Sequence, residues 1–316
     1  MNFFVSVIIP VYNVASFVEK AVISACTQPE VSEVIIINDG STDNTLKIIK
    51  KLQKENNIIK VFSHFNEINK GRSATRNLGI QKATNKYIAF LDADDYYEDN
   101  RFSNDKTIFE TDSSIEGVYN AVGFQFYRSI DKNEKDFFKL NTLTQKVAPE
   151  NLYEALITSK YGYLHLNGLT LKRDVINKIG YFNESLKVAE DSYFLFKLAL
   201  KVKLVGGILD RPLAKRGIHD SNVFDKKALY QKYTIKMYET LVIWCSKNKV
   251  ANYIIDDLFK RIWLLKQKEK NRLYKDITHW AGFFYSNPKL LFSIFSIKYF
   301  PIIRFRKMLF PFFYKR

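Results

Sequence analysis

Near its start the chain has a short, largely β-branched apolar run, Phe4-Val5-Ser6-Val7-Ile8-Ile9, which Pro10-Val11-Tyr12-Asn13 closes. Branched apolar residues without polar alternation suit a strand covered on both faces, as in a parallel sheet. The same pattern predicts strands at residues 34–37, 58–62 and 87–91. Between them, residues 16–26, 43–56 and 71–83 read as helices, with Ser16, and Asp43 in preference to Ser41, as candidate caps. Strands alternating with helices predict βαβ units and a mostly parallel sheet. Residues 100–150 are less regular: strands are expected within 117–127 and a polar loop over 131–139. Helices are expected at 151–160, 174–180 and 190–203, and a last strand at 208–215.

From about Lys226 the pattern changes. Leu229, Tyr233, Met237, Leu241 and Trp244 recur every three or four residues, as do Ile254, Leu258, Ile262 and Leu265. Two amphipathic helices follow from that spacing. There is no internal repeat. The change divides the chain into residues 1–225 and 226–316.

Composition narrows the class. With 47% hydrophobic and 26% charged residues over a length of 316, a disordered chain is excluded and about two domains are expected. Cys26 and Cys245 are the only cysteines, which excludes a disulfide framework and a cysteine-rich zinc module. They fit a reducing compartment. The net charge of +16 is unevenly placed. From Lys226 onward there are 20 Lys and Arg against 5 Asp and Glu; before it there are 29 against 28. A near-neutral body thus has a basic tail, suited to nucleic acid, anionic lipid or anionic substrate. Residues 1–18 lack a basic start and are interrupted by Pro10, Tyr12 and Asn13, so a signal peptide is not expected. No apolar stretch reaches the roughly 18 residues of a spanning helix.

Candidate chemistry sits beyond the carboxyl ends of the predicted strands, where parallel sheets bind ligands. Asp92 and Asp94, one residue apart on a bend, can converge on a hard cation shared with substrate phosphates, such as Mg²⁺ or Mn²⁺. The plainer reading is a solvated acidic turn; the strand-end position and a third acid, Asp95, favour the cation. Asp39, at another strand tip, can accept a hydrogen bond from a ligand N–H, such as N3 of uracil. Asn69-Lys70-Gly71-Arg72 starts a helix whose glycine and first amides can approach phosphate. Arg72 and Arg76 share one helix face. An exposed basic face is the plainer reading, more so for Arg72.

Glu190-Asp191 begins an apolar helix. Such acids are either dipole partners or a carboxylate that takes a proton from an attacking hydroxyl. His219, in Arg216-Gly217-Ile218-His219-Asp220-Ser221-Asn222, is either structural or returns to the cation site. Tyr163, His165 and Asn167 precede Gly168 and are placed toward an acceptor.

Taken in order, VSVIIPVYN (5–13), IIINDGSTDNT (35–45), NKGRSATRNLG (69–79), FLDADD (90–95) and ESLKVAEDSYF (184–194) resemble family 2 glycosyltransferases, with RGIHDSN (216–222) weaker. The resemblance covers roughly residues 3–225. It implies an α/β GT-A nucleotide-sugar-binding fold, a mostly parallel central sheet flanked by helices, to which the helical C-terminal region is added. Residues 1–99 would be the nucleotide-binding half and 100–225 the acceptor half. The implied reaction is inverting transfer of a hexosyl or N-acetylhexosaminyl group from a nucleotide sugar, commonly a UDP-sugar, to an acceptor hydroxyl. By position, Pro10, Val11, Tyr12 and Asn13 would line the base pocket, and Asp39 would bind uracil. Gly71 and Arg76 would lie along the nucleotide pocket, with Asp92 and Ala93 at the ribose or the cation's water. Asp94, with Asp92 and His219, would hold Mn²⁺ or Mg²⁺ in a DXD motif. Asp191 would be the general base, with Glu190 beside it. One departure is Asn38, where the family commonly has Asp.

The setting implied is synthesis of a bacterial surface polysaccharide or glycoconjugate on a glycan or lipid-linked glycan acceptor. Other readings compete. A sugar-phosphate nucleotidyltransferase would need a glycine-rich loop after the first strand, where Pro10-Val11-Tyr12-Asn13 stands. A nucleic-acid- or anionic-surface-binding protein with a non-catalytic GT-A-like body would use the basic tail, but the acidic strand ends would repel phosphate. Asp92, Asp94 and Asp191 argue against an inert scaffold, and nucleic acid is not the expected partner.

The tail, residues 280–316, holds 13 aromatics among 37 residues, interleaved with Lys289, Lys298, Arg304, Arg306, Lys307, Lys315 and Arg316. Its apolar runs, 290–297 and 299–303, are too short to span a bilayer. This mixture suits a helix lying on an anionic membrane, with the protein on the cytoplasmic side of the cell membrane. A helical lid or a homodimer surface is the other role open to it.

Overall fold

The computed structural model divides the chain into two compact units, Met1–Asp225 and Lys226–Arg316. The structure describes residues 3–129, 139–220, 227–266, 272–292, 294, 297, 301–304 and 306–313. Residues 131–138 of the predicted loop, with Ser221, Asn222, Lys298, Lys315 and Arg316, lie outside the described residues.

In the first unit, β1 (Val5–Val11), β2 (Val31–Asn38), β3 (Ile59–Ser63) and β4 (Tyr87–Phe90) alternate with α1 (Val18–Cys26), α2 (Thr45–Glu55) and α3 (Arg72–Lys82). Strand β1 runs parallel to both β2 and β4, with Ile8 opposite Ile35 and Phe90. All three are fully buried, as the apolar runs require. Asp43 stands one residue before the cap position, which Asn44 holds; its carboxylate accepts from the Thr45 amide at 2.9 Å and the Ala15 amide at 3.2 Å, so it orders the turn that leads into α2. Ser16 does not cap α1. The Val14 carbonyl accepts from the amides of Phe17 and Val18, so a turn precedes the helix and Phe17 holds the cap position.

The chain continues through β5 (Tyr96–Tyr97), α4 (Ser103–Thr111), β6 (Gly117–Tyr119), β7 (Val122–Phe126), α5 (Leu152–Thr158), β8 (Leu169–Lys172), α6 (Val175–Ile179), α7 (Glu190–Lys201), β9 (Leu204–Gly206) and β10 (Ala214–Ile218). The large sheet has the order β3-β2-β1-β4-β8-β6-β9, and a small one the order β5-β10-β7. Only β8 runs antiparallel to its neighbours in the large sheet. The last strand is 214–218 rather than 208–215, because Pro212 has no amide for a ladder. Carboxyl ends of β1, β2 and β4 deliver residues 10–13, Asp39 and 92–95 to one edge. Strand β10 closes in on that edge at Gly217: a Cβ there would stand 2.3 Å from the Asp94 carbonyl oxygen.

The second unit is helical: α8 (Lys227–Lys247), α9 (Asn252–Lys266) and α10 (Arg272–Ser286), followed by short turns. Met237, Leu241, Val242 and Cys245 of α8 are buried, with Ile254, Leu258, Phe259 and Ile262 of α9. Trp280 and Phe283 of α10 pack on Phe259, with ring centroids 4.9 and 5.3 Å away. Leu229, Tyr233 and Trp244, read as part of the α8 stripe, are half-buried. Among the described residues, no helix is long and apolar enough to cross a membrane.

Candidate active site

After β4 the chain bends sharply, with the Asp95 amide donating to the Asp92 carbonyl at 3.0 Å. The three acids of this turn take different partners. Asp92 accepts from Arg76 Nη2 at 2.7 Å, while its amide donates to Asn167 Oδ1 at 3.2 Å. Asp95 is buried and accepts from Asn167 Nδ2 and from the Gly217 amide. Asp94 meets His219, with Nε2 and Oδ2 2.9 Å apart, and Phe17 stacks on that imidazole at 4.8 Å.

The electrostatics follow these contacts. Burial opposes ionisation of Asp92, but Arg76 outweighs it and holds the carboxyl below the usual range. Burial pushes Asp95 up, and the neighbouring charges of Asp94 and Asp92 add to that. His165 Nδ1 accepts from the Asn167 amide at 3.3 Å. Burial, with Arg216 nearby, pushes His165 down to about 4, so the ring is neutral at pH 7.

Arg76 extends the site toward α7. Its Nη1 donates to Glu190 Oε1 at 3.1 Å, and Arg72 Nε lies 3.5 Å from the same oxygen. Glu190 is buried, and burial together with Asp191 pushes it up. Thus Glu190 faces inward. Asp191 Oδ1 accepts from the Ser192 amide at 2.7 Å and the side chain is half-buried. Ala189, just before the pair, has φ +62°, a left-handed conformation uncommon for a residue with a Cβ.

Other sequence-predicted residues take mixed positions. Both Asp39 oxygens accept backbone amides, from Lys70 at 2.7 Å and Gly71 at 2.9 Å. The Asp39 carboxylate therefore braces the 69–71 turn, and the Gly71 amide is engaged there rather than open to phosphate. Gly71, at φ +85°, suits that turn because it lacks a Cβ. Val11 and Ala93 are buried, Pro10 is half-buried, and Tyr12 is 48% exposed. Asn13 Oδ1 accepts the Thr42 amide at 2.8 Å and so orders the loop after β2. Asn38 accepts from the Ser41 amide at 3.2 Å through Oδ1, a contact that an aspartate could also make. Tyr163 is exposed, whereas Asn167 is fully buried and does not face an acceptor.

Among the described residues, two sets of groups are candidates for a cation. Ligand atoms of Asp92, Asp95 and His165 lie within 4.8 Å of one another. Yet Asp95 accepts hydrogen bonds at both oxygens, Asp92 is tied to Arg76, and the His165 Nδ1 lone pair is engaged. The other set, Asp94 and His219, is 26% and 15% exposed at the side chain and offers a carboxylate beside an imidazole. This pair is hydrogen-bonded together but reaches solvent, so oxygens of a bound substrate would complete a shell around Mn²⁺ or Mg²⁺ there.

Sequence reasoning missed Asn167 as the residue that braces the turn. Its partners lie about 75 residues away in sequence, and a lone Asn before Gly carries no periodic signal. Arg101, four residues before Asp105, was a readable pair; its Nε donates to the Asn167 carbonyl at 3.3 Å and anchors it.

Residues 6–144 match the family described as Glycosyl transferase family 2. An uncharacterized glycosyltransferase of Rickettsia bellii is 37% identical over 139 residues, 44% of this chain and 19% of the relative. One from Nostoc is 30% identical over 180 residues, 55% of this chain and 52% of the relative. The chondroitin synthase of Pasteurella multocida is 28% identical over 270 residues, 80% of this chain and 24% of that protein. The chain therefore spans about half, or less, of the length of these relatives. Among solved structures, S. aureus TarS 1–349 in complex with UDP-GlcNAc superposes with a TM-score of 0.65 at 17% identity, over 96% of this chain and 87% of that one. That likeness is one of fold.

Proposed function

Because the first unit belongs to the family 2 glycosyltransferases and has their GT-A fold, we propose that it transfers a sugar from a UDP-sugar to a hydroxyl of a glycan or lipid-linked glycan, with inversion. The observation that carries this reading is the Arg76 bridge from Asp92 to Glu190, which holds Asp191 close to the turn where Asp94 meets His219. A TarS complex with UDP-GlcNAc supports an N-acetylhexosamine donor. A mannosyltransferase of Pyrobaculum calidifontis, solved with GDP-Man and Mn²⁺ (TM-score 0.51, 14% identity), supports a cation on this fold and keeps a GDP-sugar as the second candidate donor.

The chain's own groups divide the work. Exposed Tyr12, at the tip of β1, offers a ring to the base. Asp94 and His219 would hold Mn²⁺ or Mg²⁺, which supplies neutralisation of the departing diphosphate. Asp191 Oδ1 is engaged by the Ser192 amide, which leaves Oδ2 to take the proton of the acceptor hydroxyl. As the acceptor oxygen bonds to C1, the C1–O bond to the diphosphate breaks. A single displacement on an α-linked donor gives a β-product, with no glycosyl-enzyme intermediate.

The second unit would bring the site to its acceptor. Tyr274, Tyr285, Ile294, Ile297, Phe312 and Phe313 are exposed on a strongly basic stretch, a combination suited to the cytoplasmic face of an anionic membrane.

One set of assays tests both parts. UDP-GlcNAc is supplied with Mn²⁺ and water as acceptor, the first-released anomer is read by NMR, and the protein is floated with phosphatidylglycerol vesicles. We expect β-sugar first, a loss of about 10²- to 10⁴-fold in Asp191→Asn, and co-flotation. First release of α-sugar, or full activity of Asp191→Asn, would overturn the mechanism. Protein left in the aqueous fraction would overturn the membrane contact.

A further inference from the structure

We propose that Arg76 is a positioning residue that sets Asp191 against the acidic turn, and that it makes no contact with the nucleotide. The inference rests on the glycosyltransferase reading for its assay and on the geometry for its content. Arg76 is among the largest fully enclosed side chains, 2% exposed. One end of its guanidinium holds Asp92 and the other holds Glu190, 114 residues further along the chain. A planar, permanently charged fork is the group that can hold two carboxylates at a fixed separation. Its remaining surface is covered. Nε is buried without a hydrogen-bond partner, and the ring of Phe182 lies 5.5 Å from the guanidinium carbon.

The residues around Arg76 tighten the same joint. Phe182 stacks on Phe194 of α7, with centroids 4.0 Å apart and planes 8° from parallel. Asn77, next to Arg76 on α3, accepts from the Phe182 amide at 2.9 Å and donates to its carbonyl at 3.0 Å. Lys197, also on α7, donates to the carbonyls of Ile179 and Tyr181, both at 2.8 Å. Helix α3 thus grips the segment before α7 and the first turn of α7 with adjacent side chains. Glu190 is the anchor in that turn, and Asp191 is carried beside it. Misplacing a catalytic group by about 1 Å can cost roughly 10²-fold in rate, even when ligand binding survives.

The test separates turnover from nucleotide affinity. Arg76→Lys keeps the charge but cannot fork two carboxylates, and Glu190→Gln keeps the shape but removes the anchor's charge. Each is compared with wild type for UDP affinity with Mn²⁺ by calorimetry and for kcat and KM of UDP-GlcNAc hydrolysis. If wild type prefers another nucleotide sugar, that donor and its nucleotide replace these two. We expect kcat to fall about 100-fold in both variants, with UDP affinity and KM within about threefold of wild type. Weaker UDP binding with kcat preserved would make Arg76 a nucleotide contact and overturn the proposal, as would an unchanged kcat. A merely destabilising role would lower affinity and kcat together. Where Arg76→Lys does not fold, Glu190→Gln decides: kcat lost with affinity kept supports the proposal, and kcat kept overturns it. A wild type that neither binds nor hydrolyses any nucleotide sugar would sink the functional reading itself.

Discussion

The acidic turn of the first unit and a polar knot in the second both hold half-buried ionisable groups, yet the two are partnered differently. In the knot, Lys266 Nζ lies 3.1 Å from Glu239 and 2.9 Å from His279 Nδ1, so one acid, one base and one neutral ring join three helices. Their side chains are 14–27% exposed. At the turn, Asp92 and Asp94 are 24% and 26% exposed, no more than Glu239. There, however, Asp92 and Glu190 share Arg76, with Arg72 beside Glu190, while Asp95 is buried next to Asp92 and Asp94. Burial pushes Asp95 and Glu190 toward their neutral forms, and Asp94 is set apart because its partner is an imidazole rather than a guanidinium. Partial burial of charge is common to structure and chemistry. On the proposed reading, a carboxylate partnered by an imidazole and left partly open, with its neighbours braced, is what would make a place for a cation.

That contrast can be broken from either side. The larger effect is expected at Asn167, which serves both the Asp92 amide and the Asp95 carboxylate. Asn167→Ala leaves these groups without that partner, at about 1–3 kcal/mol each, so the urea midpoint of the chain should fall together with UDP affinity. A variant with wild-type stability would show that the turn holds its shape without the brace.

A smaller, opposite-natured effect is expected at His279. Burial, reinforced by Lys266, pushes this ring down to about 3, well below its ordinary value of about 6.5. Between those values the unfolded chain binds a proton that the folded unit does not. Stability of the second unit should therefore be full above about pH 6.5 and decline as pH falls toward 3, by at most about 1.4 kcal/mol per pH unit. All 3 tryptophans, Trp244, Trp263 and Trp280, lie in that unit, so their fluorescence reports its unfolding. His279→Phe should flatten the profile relative to wild type; parallel profiles would show that the knot does not hold the ring neutral.

Much of the first unit was legible because its determinants are local. The runs at 34–37 and 87–90, and 5–9 apart from Ser6, are apolar without alternation, as strands covered on both faces of a parallel sheet require. Asp39 and the 92–95 acids stood out because each run stops at them. What remained hidden depends on distant partners. Strand β8 is four residues long with Thr170 in its middle, and that Thr is fully buried because its hydroxyl donates to Asp105 at 2.6 Å. Helix α4 buries Asp105 and Phe109 on an otherwise polar sequence, so it has no apolar stripe to read. Nor can three neighbouring acids be told apart by spacing. Asp95 turns inward because Asn167 and Gly217 come to meet it, and Asp94 turns to His219 because β10 ends there.

The central claim is that Asp94, unlike the acids on either side, is a ligand rather than a brace. It is tested most directly by melting wild type and Asp94→Ala with UDP, with Mn²⁺, and with both. A ligand at about 100 times its dissociation constant adds roughly 2.7 kcal/mol to the folded state, so the shift is readily measured. Wild type should be raised most by UDP and Mn²⁺ together, and Asp94→Ala should melt near wild type without ligand and lose the Mn²⁺-dependent part. An Mn²⁺-dependent shift that survives in Asp94→Ala would contradict it and place the cation elsewhere on the turn.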